Sequence, residues 1–153
     1  MNSSPSVRLA SIDDFAQLSV LYRELVGPSK VADDHRGLGL WQDLLTLPGT
    51  DVFSLEVEGQ LCATATLHCL PNLTHHGRPY ALVENVVTLR AERGKGYGRQ
   101  VMEAAIGRTW EQNCYKIMLL TGKNAEAKGF YERLGFTADE KHGMTIRRVP
   151  IRN

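Results

Sequence analysis

Residues 93–99 constrain the fold more than any other stretch: Arg93, Gly94, Lys95, Gly96, Tyr97, Gly98 and Arg99 alternate cation or aromatic with glycine. They lie between an apolar strand pattern at residues 80–88 and a helical stripe that begins near Gln100. Glycine lets the backbone reach φ > 0 and approach a ligand closely. A helix N-terminus exposes N–H groups without intrahelical partners and the positive end of the helix dipole. A chain that places strand, glycine turn and helix start in succession has to build an α/β layer. It also builds a seat for a pyrophosphate.

The rest of the chain fits such a layer. Val7, Arg8 and Leu9 read as a first strand, and Ser11 to Asp14 open a helix capped by Ser11 or Asp13. Phe15, Leu18, Tyr22 and Leu25 recur at helical steps until Gly27 and Pro28 stop them. A weaker helix spans about residues 33–47. Strands follow at 51–57 and 60–70, joined by Glu58 and Gly59, and then at 80–88. Val101, Met102, Ala105, Ile106 and Trp110 form a helical stripe. A compact strand at 114–120 and a short helix at 125–134 come next, the helix ended by Gly135. Phe136 and residues 144–149 read as closing strands across a polar turn. The order is β-α-α-β-β-β-α-β-α-β-β, an α/β (α+β) fold with a mixed, mostly antiparallel sheet and helices on both faces. With 153 residues and no linker-like stretch, residues 1–153 are expected to form a single domain.

Composition limits the partners. A net charge of +1 gives no global attraction to nucleic acid or to an anionic membrane. No apolar run approaches the roughly 20 residues of a membrane span, and the first residues lack a signal-peptide pattern. Cys62, Cys69 and Cys114 are odd in number and show no CxxC, so a reducing cytoplasm is expected.

Three nucleotide seats compete for residues 93–99. A P-loop requires Gly-Lys-Ser/Thr after its second glycine, which is absent. A dinucleotide fingerprint requires GxGxxG, and Arg99 occupies the place of its last glycine. The pattern Arg-x-x-Gly-x-Gly is met, and here the chain resembles the GNAT superfamily of acyl-CoA-dependent N-acetyltransferases. The resemblance implies that the backbone amides of this loop hold the pyrophosphate of coenzyme A. A second motif agrees: Asn124, then Phe130, Tyr131, Glu132, Arg133, Leu134, Gly135 and Phe136, looks like the family's Asn…FYxxxGF segment. A closer resemblance, over residues 52–148, is to glucosamine-6-phosphate N-acetyltransferases. It departs at Asn85, where those enzymes carry Asp, and after Ile117, where an acidic, cysteine-containing stretch is replaced by Met118 to Lys123. The resemblance therefore implies the acetyl-CoA half of a site and leaves the amine acceptor, an amino sugar or its phosphate among the options, open.

Attack of an amine on a thioester needs a neutral amine, a held carbonyl, a stabilised oxyanion and a proton for the leaving thiolate. An amine with a pKa near 10.4 is almost wholly protonated at pH 7, so a base is required. Glu84, in an otherwise apolar strand, is the candidate base, with a solvated sheet glutamate as the plain alternative. Asn85 faces away from it in a regular strand, an arrangement that a bulge, implied by the resemblance, would change. Tyr131 is the candidate acid, against the reading of a core aromatic beside Phe130. Val86 and Val87 can offer backbone amides to the carbonyl and pantetheine. Asn124 either bonds the pantetheine arm or caps the following helix. His75 and His76 border an acceptor loop without a metal-ligand partner set, and no metal is expected. Arg147 and Arg148 resemble a basic pair that reaches substrate phosphate across a homodimer, or else form an exposed cationic strand. Trp41 and Trp110 read as packing residues. A non-catalytic acyl-CoA sensor on the same fold is the alternative to an enzyme.

Overall fold

A computed structural model describes residues 4–148 and divides the chain into two compact units, residues 1–119 and 120–153. The first unit holds a five-stranded sheet in sequence order: β1 (Ser6–Leu9), β2 (Thr50–Val57), β3 (Gln60–Leu70), β4 (Tyr80–Thr88) and β5 (Ile117–Met118). All neighbours pair antiparallel except β4 and β5, which are parallel. A parallel pair needs a crossover, and helix α4 (Tyr97–Glu111) supplies it.

The register assigns the faces, because residues directly opposite in a ladder project to the same side. Val52, Thr66 and Glu84 are matched across β2, β3 and β4. Val52 belongs to a buried cluster with Leu18 and Leu21 of α1 (Phe15–Val26) and Trp41 of α2 (His35–Thr46). That face is therefore covered by α1 and α2. Leu18 and Leu21 are fully buried, which stabilises the layer by about 1.5–3 kcal/mol for each such side chain. The opposite face carries α4, whose Val101, Met102 and Ala105 are buried against β3 and β2. Arg108 of α4 donates to Asp51 of β2 at 2.9 Å.

The entry to α1 is tied electrostatically. Arg8 donates to both Asp14 oxygens, at 2.7 and 2.9 Å, and to Glu56 at 2.7 Å. Asp14 also accepts from the Ser11 N–H at 2.7 Å, so a 3-10 turn (Ile12–Asp14) precedes the α-helix proper. The Arg8 guanidinium holds the Asp14 carboxyl below its ordinary value. Asp34 caps α2 by accepting from Gly37 N at 2.9 Å. Gly37 is obligatory: a Cβ there would lie 1.9 Å from the Ala32 carbonyl oxygen.

Most expected elements form, with β4 on the boundaries read from its apolar pattern. Four differences matter. Helix α4 starts at Tyr97, so half of the glycine segment lies inside its first turn. Residues 114–120 were expected as one strand, yet only Ile117 and Met118 pair. Trp110 ends the expected stripe but is 54% exposed, because the buried face of α4 at this point is presented by its neighbour Thr109. The loop between β3 and β4 contains a single turn, α3 (Thr74–Gly77).

The second unit contains α5 (Ala125–Glu132) and, among the described residues, no strand. The closing strands expected at Phe136 and at 144–149 do not form within residues 136–148; Val149 lies outside the described residues. Met144 and Ile146 are 92% and 99% exposed. Alternating apolar residues make a strand only when another backbone accepts their hydrogen bonds, and none does so here among the described residues.

Candidate functional site

The cofactor half of the site is built from backbone. After β4 a 3-10 turn (Arg90–Glu92) leads into the glycine segment. Gly94 and Gly96 both sit at φ +81, a left-handed conformation that side-chain-bearing residues adopt only at a cost. Gly96 is the N-cap of α4, with no side chain to close the cap. The first capping bond is Gln100 N to Gly96 O at 3.2 Å. Among the described residues no acceptor meets the N–H groups of residues 94–99. A run of free amides on the positive end of a fifteen-residue helix fits a pyrophosphate by its donor set alone.

The cations of the segment are less available than the sequence implied. Lys95 pairs with Glu92 at 2.7 Å, which holds its ammonium pKa up. Arg99 pairs with Glu103 at 2.7 Å across one helical turn. Arg93 Nε turns back to the Thr88 carbonyl at 3.4 Å. These exposed contacts are weak and exchangeable, so the amides are the fixed part of the seat.

Upstream, β4 is interrupted. Pairing with β3 steps from Thr64↔Val87 to Thr66↔Glu84, so Asn85 and Val86 together stand opposite Ala65. Asn85 takes φ +53, and asparagine is among the residues that tolerate this region best. This is the bulge that the family resemblance implies. It leaves Glu84 and Asn85 both exposed, where a regular strand would turn one of them inward. Glu84 keeps the face of Thr66, the face under α1 and α2. Among the described residues its carboxylate has no side-chain hydrogen bond or ion pair. The short β5 adds a second opening. It pairs only with Ala81 and Leu82, so from Val83 to Thr88 the outer edge of β4 carries no ladder partner among the described residues. The main-chain groups of Val86 lie on that edge, available to an amide-bearing ligand arm. Those of Val87, two residues before the Leu89 N–H that bonds Cys62 O, face β3.

On the α1/α2 face a cavity of about 330 Å³ opens beside the bulge. Phe15, Leu18 and Tyr22 of α1, Trp41 and Leu44 of α2, and Asn85 of β4 line it. Lys30, in the segment linking the helices, is its charged lining residue. Trp41 is a packing residue, as read from sequence: it is 4% exposed and donates through Nε1 to Ser11 O at 3.1 Å. The Tyr22 and Thr66 hydroxyls are buried beside each other and have no further hydrogen-bond partner among the described residues. Burial pushes the Tyr22 phenol upward in pKa.

Sequence reasoning missed this cavity and the two hydroxyls. Tyr22 was legible only as one member of an apolar helical face, and Thr66 only as an alternating strand residue. His75 and His76 do not line the cavity. They are exposed, at φ +53 and +59 in the turn beyond β3, and His75 stacks on Tyr115 at 3.7 Å between ring centroids. Among the described residues no cluster of His, Cys, Asp or Glu is arranged to hold a metal ion.

In the second unit, Asn124 caps α5: its Oδ1 accepts from Ala127 N at 2.7 Å. The capping reading of Asn124 therefore describes its oxygen. Tyr131 packs edge-on against Phe130 at 5.0 Å and Phe136 at 5.9 Å. Gly135, at φ +98, reverses the chain so that Phe136 N returns to Tyr131 O at 3.1 Å. Burial raises the Tyr131 phenol above its ordinary value. Arg147 and Arg148 are exposed.

A family model described as the acetyltransferase (GNAT) family matches residues 18–136, spanning the cavity helices, the bulge, the glycine segment and Tyr131. The chain belongs to this family. A curated glucosamine 6-phosphate N-acetyltransferase of Trypanosoma brucei brucei is 32% identical over 92 residues. That alignment covers 60% of the chain and 61% of the relative's length. Among solved structures, an Agrobacterium tumefaciens protein assigned to the acetyltransferases is 43% identical with a TM-score of 0.87, over 94% of this chain and 99% of the other. A transcriptional regulator of Bacillus halodurans is 25% identical with a TM-score of 0.85, over 94% and 99%. The family accounts for the sheet order, the bulge and the glycine turn as one assembly. Among the described residues no helix is long and apolar enough to cross a membrane.

Proposed function

We propose that the chain, acting as one acyl-CoA domain over residues 1–153, transfers acetyl from acetyl-CoA directly to the primary amine of a small molecule. The observation that carries this reading is the run of free amides at residues 94–99, at the start of α4, in a chain of the GNAT family. These amides would hold the pyrophosphate, and the open edge at Val86 would hold the pantetheine arm and the thioester carbonyl. Glu84 takes the proton of the acceptor ammonium. The freed nitrogen attacks the carbonyl carbon, and backbone N–H groups at the bulge steady the oxyanion. As the carbon–sulfur bond breaks, Tyr131 supplies the thiolate with a proton. The second proton lost by the nitrogen as it becomes an amide restores the tyrosinate through water, and Glu84 releases its proton to solvent. The raised pKa of Tyr131 makes its donation uphill in water, but an apolar setting raises a thiol, ordinarily near 8.5, in the same direction.

The 32% identical relative supports an amino sugar or its phosphate as acceptor, with Asn85, His75, His76, Arg147 and Arg148 as the residues to examine. A homodimer and a cytoplasmic setting belong to the same reading. The 25% identical regulator supports a second reading, a module that binds acyl-CoA without turnover. One assay separates them. The protein is titrated with acetyl-CoA and then supplied with an amine panel that includes glucosamine 6-phosphate, with free thiol monitored. Amine-dependent thiol release is expected. Binding without release for every amine favours the sensor, and absence of acetyl-CoA binding refutes both.

A further inference from the structure

We infer that Glu24 of α1 is a positioning residue for the pyrophosphate seat: it caps, from a distant part of the chain, the turn that delivers the backbone to residues 94–99. The inference rests on the acetyltransferase reading and adds to its cofactor site a residue outside the glycine motif.

The turn has no cap of its own. Arg90–Glu92 form a 3-10 helix whose N-cap residue is Leu89, and no side chain of the turn closes that cap. The first N–H groups of a helix need an acceptor from outside it. Glu24 Oε2 accepts from Arg90 N at 2.7 Å, across 66 residues of sequence. A hydrogen bond to a carboxylate is stronger than one between neutral groups. Among the described residues Glu24 enters no salt bridge, which leaves its charge to this N–H. Leu89 is buried with Leu18 and Leu21 of the same helix, and its N–H reaches Cys62 O at 2.9 Å. The start of the turn is thus fixed to α1 and β3 by side chain and backbone together.

Beyond Arg90 the anchoring stops. The hydrogen bonds that follow are local: Glu92 N to Leu89 O at 2.8 Å, Arg93 N to Arg90 O at 3.4 Å, and Lys95 to Glu92 at 2.7 Å. A Cβ built on Gly94 or Gly96 meets no atom within 4 Å, so open space borders the segment there. The next buried residue is Val101 of α4. The free amides therefore span two fixed points, Arg90 and Val101, and Glu24 holds the first. Amides bind a pyrophosphate well only while they converge on it, and a displacement of about 1 Å in a site can cost about a hundredfold. By charge alone a carboxylate opposes an anionic ligand. The benefit of Glu24 comes through the geometry it holds, so its anchoring and its charge act on affinity with opposite signs.

The test is calorimetric titration of the protein with coenzyme A. Glu24→Ala should raise Kd by about tenfold. Glu24→Gln keeps an acceptor oxygen at the same reach and should stay within about threefold of the unsubstituted protein. Glu24→Asp keeps the charge but is one methylene short, and should weaken binding by about tenfold as alanine does. Thermal melting checks that each variant folds. In the unliganded protein the Arg90 amide should exchange its hydrogen about tenfold faster in Glu24→Ala, with protection restored in Glu24→Gln. Turnover gives a further readout through S-acetylpantetheine, which carries the thioester arm without the pyrophosphate. Glu24→Ala should lower kcat/KM for acetyl-CoA by about tenfold and for S-acetylpantetheine by less than about twofold. Unchanged or tighter coenzyme A binding in Glu24→Ala overturns the inference, as does a glutamine variant as weak as alanine. Equal losses with the two thioesters also overturn it. If the unsubstituted protein fails to bind coenzyme A, the acetyltransferase reading falls and the inference with it.

Discussion

The start of α4 and the cavity under α1 and α2 solve opposite problems. The first is backbone: glycines at φ +81 and a row of free amides, exposed and indifferent to what hangs from the phosphates. The second is side chain: hydrocarbon walls from two helices, with Tyr22, Lys30 and the bulge residue Asn85 as polar members. A backbone seat needs only a few glycines and a helix start, and therefore leaves a compact sequence motif. A side-chain cavity draws single residues from α1, α2 and β4, far apart in the chain, and leaves none.

The largest expected effect tests that division at the reacting end. Glu84→Gln should lower kcat by about 10²–10⁴ at neutral pH while the acetyl-CoA affinity holds. Activity should return at higher pH, where the amine loses its proton unaided; an unchanged pH–rate profile would exclude Glu84 as base. Tyr131→Phe should lower turnover by about tenfold to a hundredfold, again without weakening cofactor binding. Equal turnover removes the acid assignment. Gly96→Val should do the reverse of both. The left-handed backbone costs a side-chain-bearing residue roughly 1–2 kcal/mol, so acetyl-CoA affinity measured by calorimetry should fall about tenfold, with kcat at saturation little changed.

Two smaller effects sharpen the comparison. Asp14 anchors the entry to α1, and hence one wall of the cavity, through Arg8. Its carboxyl pKa is lowered on folding, so the stabilisation is complete above the ordinary carboxyl value of 3.8 and is lost as pH falls through the lower folded value. Asp14→Asn should cost about 1–2 kcal/mol in denaturant melts near neutral pH. It should also flatten the acid limb of the stability curve. Lys95→Ala should change acetyl-CoA affinity by less than about fivefold, because the lysine is exposed and shared with Glu92. A larger loss would shift the weight of the seat from its amides to its cations.

Local patterns in the chain were enough to recover much of this. The apolar strand at 80–88, Gly135 after α5 and the alternation of glycine with cations each express a short-range rule of backbone sterics or periodicity. The Asn124 cap was among the stated alternatives for the same reason. Packing is different, because it depends on which element arrives opposite. Trp110 continues a helical stripe but is exposed beside the fully buried Thr109, and residues 114–120 have strand composition but only a two-residue partner. Phe136 and residues 144–148 read as strands on either side of a polar turn and pair with nothing among the described residues.

Glu84 and Asn85 divide along the same line. Their identity, a carboxylate followed by a residue tolerant of positive φ, is written in the chain and is consistent with a bulge. That the bulge lies across from Ala65 and beside a hydrocarbon cavity depends on ladder register and helix placement. Short-range sterics chose the phosphate seat. Long-range burial, which matches surfaces from distant segments, shaped the cavity under α1 and α2.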